Sequence, residues 1–192
     1  MRNAEIDRKT KETHVQVSVS LDGKGSAVNQ TRVKFLDHML NSLATHSLID
    51  LEVKAEGDLQ HHIVEDVALA LGAALNKALG DRNGIRRFGY SIVPMDDALA
   101  LAAIDLVRRP FASVRLQIER TMIEDTPRED LDHFLPSLST TLEATLHVKI
   151  LEGVNDHHKV EAAFKAFAIA FGNAIAFDTR RALQTPSSKG VM

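Results

Sequence analysis

The sequence predicts an α+β fold built from one unit used twice. Three observations carry this reading. Asp37-His38 is followed 95 residues later by Asp132-His133. His61-His62-x-x-Glu65 is followed 96 residues later by His157-His158-x-x-Glu161, and Gly57 is followed 96 residues later by Gly153. Separate features that share one spacing to within a residue mark an internal repeat. Within each copy, stretches of period two alternate with stretches of helical period, so both element types belong to the unit.

The elements follow in order. Residues 13–21 place Val15, Val17, Val19 and Leu21 on one face and His14, Gln16, Ser18 and Ser20 on the other, a half-buried strand. Asp22-Gly23-Lys24-Gly25 turns the chain into a second strand near 26–34. Phe35, Leu36, Met39, Leu40 and Leu43 recur at helical spacing and predict a helix over 35–45. Ile49, Leu51, Val53 and Ala55 alternate again, and Gly57-Asp58 stops that strand. A helix is predicted over 61–79, ended by Gly80, and Asn83-Gly84 closes the half. The second half repeats the order, with strands at 86–94, 97–107 and 111–119 and a helix over 130–142. A strand through Leu146, Val148 and Ile150 follows, then a last helix over 157–180. Pro136 is at odds with an unbroken third helix. The organisation expected is a first half over 1–84, a second over 85–183 and a polar tail over 184–192.

Composition narrows the function classes. The chain has 192 residues, 44% of them hydrophobic and 26% charged, which suits a globular body with a real core. A net charge of -3, a single tyrosine and no tryptophan argue against nucleic acid as a partner. No apolar run is long enough to span a membrane and no signal peptide is read at the N-terminus, so a cytoplasmic protein is expected. Cysteine is absent, which excludes disulfides and thiolate metal sites. A metal would have to sit on imidazole and carboxylate, a donor set for Mn, Fe, Zn or Ni.

The histidines point to such a metal. Positions i and i+4 of a helix share a face, so His61 and Glu65 can hold one ion, and His157 and Glu161 another. His62 and His158 point about a third of a turn away. Two such helices related by a pseudo-twofold axis can complete each other: His62 joins His157 and Glu161, and His158 joins His61 and Glu65. His38 and His133 then give each ion a fourth ligand. The axis can lie within one chain or between chains. Three imidazoles and one carboxylate leave positions open on an octahedral ion, which suits chemistry rather than a structural staple. His14 and His147 read as surface histidines on strands.

At this point the residues resemble a known family. Arg8-x-Thr10-x-Glu12-Thr13, Phe35-Leu36-Asp37-His38-Met39-Leu40, Gly57-Asp58-Leu59, the two His-His-x-x-Glu segments, Arg87-Phe88-Gly89, Pro94-Met95-Asp96, Arg109-Pro110 and Pro186-Ser187-Ser188-Lys189-Gly190 match the imidazoleglycerol-phosphate dehydratases of histidine biosynthesis over nearly the whole chain. The resemblance implies a lyase that removes water from imidazoleglycerol phosphate to give imidazoleacetol phosphate. It implies two Mn²⁺ ions per site, with Fe²⁺ or Zn²⁺ as substitutes, held by the eight ligands named above. It further implies a duplicated α+β fold with two four-stranded sheets and paired helices, and trimers that assemble into a 24-mer shell with active sites between subunits. The hydrogen to be lost has no carbonyl beside it, so a metal acting as Lewis acid and a carboxylate moving protons are required. By resemblance that carboxylate is Glu12, and His46 lines the substrate site. Arg87, Arg109, Lys165, Ser187, Ser188 and Lys189 match residues that hold the phosphorylated substrate. The tail is expected to be ordered only against a partner surface or ligand.

The sequence departs from the family at three places. The loop Gly57-Asp58-Leu59-Gln60 is shorter than usual and lacks an aspartate that would orient a metal-bound histidine, for which Asp58 can substitute. Thr31-Arg32-Val33-Lys34 and Arg108 carry cations where the family has small residues, often glycine. Two other functions fit the residues alone: a dinuclear phosphate-ester hydrolase and a non-catalytic, metal-stabilised shell. The scarcity of bridging carboxylates speaks against the first. Glu12 and the tail speak against the second.

Overall fold

In the computed structural model, which describes residues 1–181 and 184–192, the chain forms two units of the same plan. The first contains β1 (Asn3–Lys9), β2 (Thr13–Ser20), β3 (Ala27–Gln30), α1 (Lys34–Ser47), β4 (Asp50–Gly57) and α2 (Gln60–Leu79). The second contains β5 (Phe88–Met95), β6 (Ala98–Asp105), β7 (Phe111–Arg115), a short hairpin of β8 (Met122–Ile123) and β9 (Thr126–Pro127), α3 (Arg128–Leu142), β10 (Thr145–Glu152) and α4 (Asp156–Ile175). The sheets have matching orders, β1-β2-β4-β3 and β5-β6-β10-β7. In each, the third strand runs parallel to the fourth and the other pairs are antiparallel. The duplicated α+β fold is therefore present as the repeat spacing predicts.

Two elements escape the sequence pattern. Strand β1 buries only Ala4 fully, and charged residues alternate with its few apolar ones, as suits an edge strand with one face inward. The β8–β9 hairpin is too short to have a period. Three other boundaries differ, one being the strand expected over 111–119, which stops at Arg115 where the chain leaves the sheet edge. The strand expected near 26–34 is only Ala27–Gln30, because Thr31 and Arg32 turn the chain into α1. The last helix stops at Ile175 rather than near 180: Ala176 is extended, and Phe177 bridges to Ile85. Pro136 sits inside α3 without ending it. The carbonyl of Asp132 loses its helical donor, and that residue is only half-buried, where water can serve it.

The units are joined by exchanged helices. α1 of the first unit packs on α4 of the second, and α2 packs on α3. One continuous core results, running from Val15, Val17 and Val19 through Leu71 and Leu75 to Phe134, Phe164 and Phe171. The approach between α2 and α3 is close: a Cβ on Gly72 would lie 2.2 Å from Thr141 Oγ1 and 2.3 Å from the Leu138 carbonyl. No helix among the described residues is long and apolar enough to cross a membrane.

Candidate metal centre

Helix exchange brings His38 of α1 to the first turn of α4. His38 Nε2 lies 3.5 Å from Glu161 Oε2, and His157 Nε2 lies 3.3 Å from the same oxygen. These three donors lie within 4.8 Å of one another, and they form the sole three-donor cluster among the described residues. Phe35 packs against both rings, 5.0 Å from His157 and 6.4 Å from His38 between centroids. Burial opposes the charge on Glu161, but the Lys165 ammonium at 2.9 Å, and then His38, hold its carboxyl below the ordinary range.

The four tandem histidines share one arrangement. Each has its Nδ1 against a carboxylate: His61 on Asp130 (2.6 Å), His62 on Asp58 (2.8 Å), His157 on Glu124 (3.0 Å) and His158 on Asp97 (2.6 Å). A carboxylate on Nδ1 fixes the ring and leaves Nε2 for a ligand, the usual construction behind a metal-bound histidine. The two helices hold their pairs differently. Asn155 caps α4 and accepts from the His157 and His158 amides, whereas Leu59 at the start of α2 offers no side-chain cap. Asp58, the residue expected to substitute for the loop's missing aspartate, lies against His62 Nδ1. The hydrogen bonds from its neighbours lower its own pKa, His62 first, and it raises that of His62.

The other expected residues fall into two groups. Glu12, in the turn between β1 and β2, lies with Oε2 3.9 Å from His62 Nδ1. His46, on the same helix as His38, lies near Lys165 and Glu161. Burial lowers its pKa first and Lys165 second, while Glu161 opposes them. Glu65 is half-buried on α2, and the exposed His133 has Nδ1 on Ser137 Oγ at 3.0 Å. His61, Glu65 and His133 do not close into a cluster like that of His38.

Arg87 belongs to the second group. It grips Asp105 with two nitrogens at 2.6 and 2.9 Å and donates to the Pro186 carbonyl at 2.9 Å. Thr185 bonds Asn83, and Gly84 donates to Gln184. The tail bearing Ser187, Ser188 and Lys189 is thus seated on its own chain, not only on a partner as the sequence reading expected, because Asn83, Gly84 and Arg87 supply its polar partners. Exposed Arg109 follows β6 at this same end. Both nonglycine substitutions keep a left-handed backbone, at φ 66° for Arg32 and φ 57° for Arg108. Their side chains reach Glu56 and the Gly80 carbonyl, and Arg32 lines one surface depression with Glu12 and Gly57.

Comparison with known proteins decides the family. A profile described as imidazoleglycerol-phosphate dehydratase matches residues 31–171. The chain belongs to the imidazoleglycerol-phosphate dehydratase family. It is 47% identical over 194 residues to the imidazoleglycerol-phosphate dehydratase of Chlorobium luteolum, covering all of this chain and 96% of that one. The imidazoleglycerol-phosphate dehydratase structures from Pyrococcus furiosus and Staphylococcus aureus superpose with a TM-score of 0.84 each. They are 36% and 30% identical and cover 97% and 92% of this chain, and 100% and 99% of their own. As a member of this family the chain is a hydro-lyase of histidine biosynthesis. The carboxylates Asp97, Glu124 and Asp130, which hold His158, His157 and His61, are missed by the sequence reading. Asp97 adjoins the Pro94-Met95-Asp96 motif, which is the one signal that pointed towards it.

Proposed function

We propose that the chain is a manganese-dependent dehydratase that converts imidazoleglycerol phosphate to imidazoleacetol phosphate, at sites built between copies of itself. The observation that carries this is the convergence of His38, His157 and Glu161 next to tandem histidines whose Nδ1 atoms are all occupied. Imidazole nitrogen with carboxylate oxygen suits Mn²⁺, and Fe²⁺ or Zn²⁺ can substitute. The ligands proposed are His38, His61, His62, Glu65, His133, His157, His158 and Glu161. When bound, the ions supply Lewis-acid charge to the substrate.

The chain's own residues supply the rest. Glu12 is exposed beside His62, where its carboxylate can take and return a proton. Lys165 and His46 lie beyond Glu161 on facing helices, and the lysine offers an ammonium to an anionic group. Arg87, Arg109 and the tail offer further cations and hydroxyls, but not to this chain's own histidines. Strand β5 runs antiparallel to α4, with Arg87 amide on Ala174, Ser91 Oγ on Ala166 and Asp97 on His158. Its eight residues, at about 3.3 Å each, put Arg87 roughly 26 Å from the histidine end. The helical rise from His157 to Ala174, about 1.5 Å per residue, gives roughly the same separation. One site therefore needs the histidine end of one copy and the tail end of another.

The outer face of the second sheet suits such association. Phe88, Tyr90 and Ile92 are exposed along β5. The equivalent strand β1 presents Asn3, Glu5, Asp7 and Lys9. An exposed apolar stripe on one sheet and a polar one on its twin favours contact through the former. We propose trimers building a 24-mer shell. The deciding assay incubates Mn²⁺-loaded protein with imidazoleglycerol phosphate and follows the ketone product. Release of inorganic phosphate without ketone would overturn the dehydratase reading in favour of a hydrolase.

A further inference from the structure

Apart from one residue at the bulge in β10, the second unit is longer than the first at one place. The starts of β2 and β6 are 85 residues apart, whereas those of β4 and β10 are 95 apart. The added residues lie between β7 and α3 and end in the β8–β9 hairpin. The segment is docked firmly. Leu116, Ile118 and Ile123 are buried, the amides of Glu119 and Arg120 donate to Asp156 at 3.1 and 2.8 Å, and buried Lys159 donates to the Gln117 carbonyl at 2.9 Å.

The turn of this hairpin, Glu124-Asp125, touches the first turns of three helices. The Asp125 carboxylate accepts from the amides of Lys34 (2.7 Å) and Phe35 (3.0 Å), at the start of α1. Val33, the residue in the capping position of α1, makes no side-chain cap of its own. Asp125 is thus a helix cap supplied from the other unit. Its backbone carbonyl accepts from Gln60 Nε2 at 2.6 Å, at the start of α2. Its neighbour Glu124 accepts from His157 Nδ1 at 3.0 Å, at the start of α4. These three turns carry or directly precede His38, the His61-His62 pair and His157.

We infer that Asp125 is a positioning residue that sets His38 against His157 and Glu161 and couples that cluster to the start of α2. This rests on the proposal that those residues bind metal. His38 sits one turn into α1, so a frayed first turn moves its ring out of reach of Glu161. Outer partners of metal ligands commonly govern affinity by about tenfold to a hundredfold.

The test measures Mn²⁺ affinity by calorimetry for wild type, Asp125→Ala, Asp125→Asn and a control, Ser139→Ala, whose lost hydroxyl bonds lie at the far end of α3. Asp125→Ala is expected to bind about tenfold more weakly or worse. Asp125→Asn, still a good cap, should stay near wild type, and Ser139→Ala should lose stability without losing affinity. Wild-type affinity in Asp125→Ala, or an equal loss in Ser139→Ala of matched stability, overturns the inference. Amide exchange on metal-free protein separates this from failure of the metal proposal itself. If wild type binds no Mn²⁺, the metal reading fails, and the coupling stands only if Asp125→Ala exposes amides at both Lys34–Phe35 and the start of α2. Unchanged exchange at α2 overturns it.

Discussion

Asp130, in the first turn of α3, holds the ring of His61, in the first turn of α2, through a 2.6 Å contact between Oδ1 and Nδ1. Asp130 is 1% exposed, and its second oxygen has no hydrogen-bond partner. A buried carboxylate with one partner favours a charged partner strongly, so the pair ties the two units together through a titratable bond.

That bond gives the metal-free protein a pH dependence. Asp130 holds the His61 imidazole above its ordinary 6.5, and Asp58 does the same for His62. For a group raised on folding, the stabilisation is complete below 6.5 and is lost as pH rises through the folded value. His46 acts oppositely, since burial lowers it, and costs stability only below 6.5. The thermal midpoint of metal-free protein should therefore fall as pH rises above 6.5 through the raised values of His61 and His62. Asp130→Asn should flatten that fall. A midpoint that climbs across the window would contradict the assignment.

Glu161 is the carboxylate of the observed cluster. Glu161→Gln keeps the shape but removes the charge that two imidazoles and Lys165 face. The variant is expected to retain about half the Mn²⁺ per chain after desalting, measured by elemental analysis, because each ion is served by one carboxylate. Undiminished metal content would remove Glu161 from the ligand set.

Gly72 tests the exchanged helices. Alanine in a helix interior ordinarily stabilises by about 1 kcal/mol over glycine. Here the added methyl would sit 2.3 Å from the Leu138 carbonyl, a backbone atom that cannot swing aside. Overpacking costs about 1–3 kcal/mol, so Gly72→Ala should destabilise on balance. Urea unfolding reads the sign directly, and a stabilised variant would mean that α2 and α3 separate easily.

Arg87 and the tail can be parted from the histidines. Deletion of residues 187–192 should leave Mn²⁺ binding near wild type but reduce turnover at least about a hundredfold, through lost substrate-orienting contacts. Steady-state rates beside metal content decide it. Intact turnover would exclude Ser187, Ser188 and Lys189 from the substrate site.

The sequence shows much of this fold because its long elements have strong periods. Alternation of Val15, Val17 and Val19 marks β2, and the spacing of Val64, Val67 and Leu71 marks α2. Edge strand β1 has too few apolar residues to display a period. The tandem histidines were readable because they recur. Their carboxylate partners were not, since Asp130, Glu124 and Asp97 lie far from them along the chain and meet them only after folding. Asp58 was readable because it precedes His62 by one turn. Buried Arg82 is the extreme case: its guanidinium donates to Asn76 and to the Leu142 and Glu143 carbonyls, and burial first, then Arg108, brings its pKa down to about 10. Nothing in the stretch Asp81-Arg82-Asn83 distinguishes it from an exposed arginine.

Neither half of this chain owns a finished interior. Because α1 leans on α4 and α2 on α3, cutting the polypeptide near residue 84 would bare two helix faces on each fragment. The midpoint of the repeat records ancestry and is no seam along which the molecule can come apart. Heat or urea should melt both halves together, and a fragment of either should gain order only when its counterpart is added back.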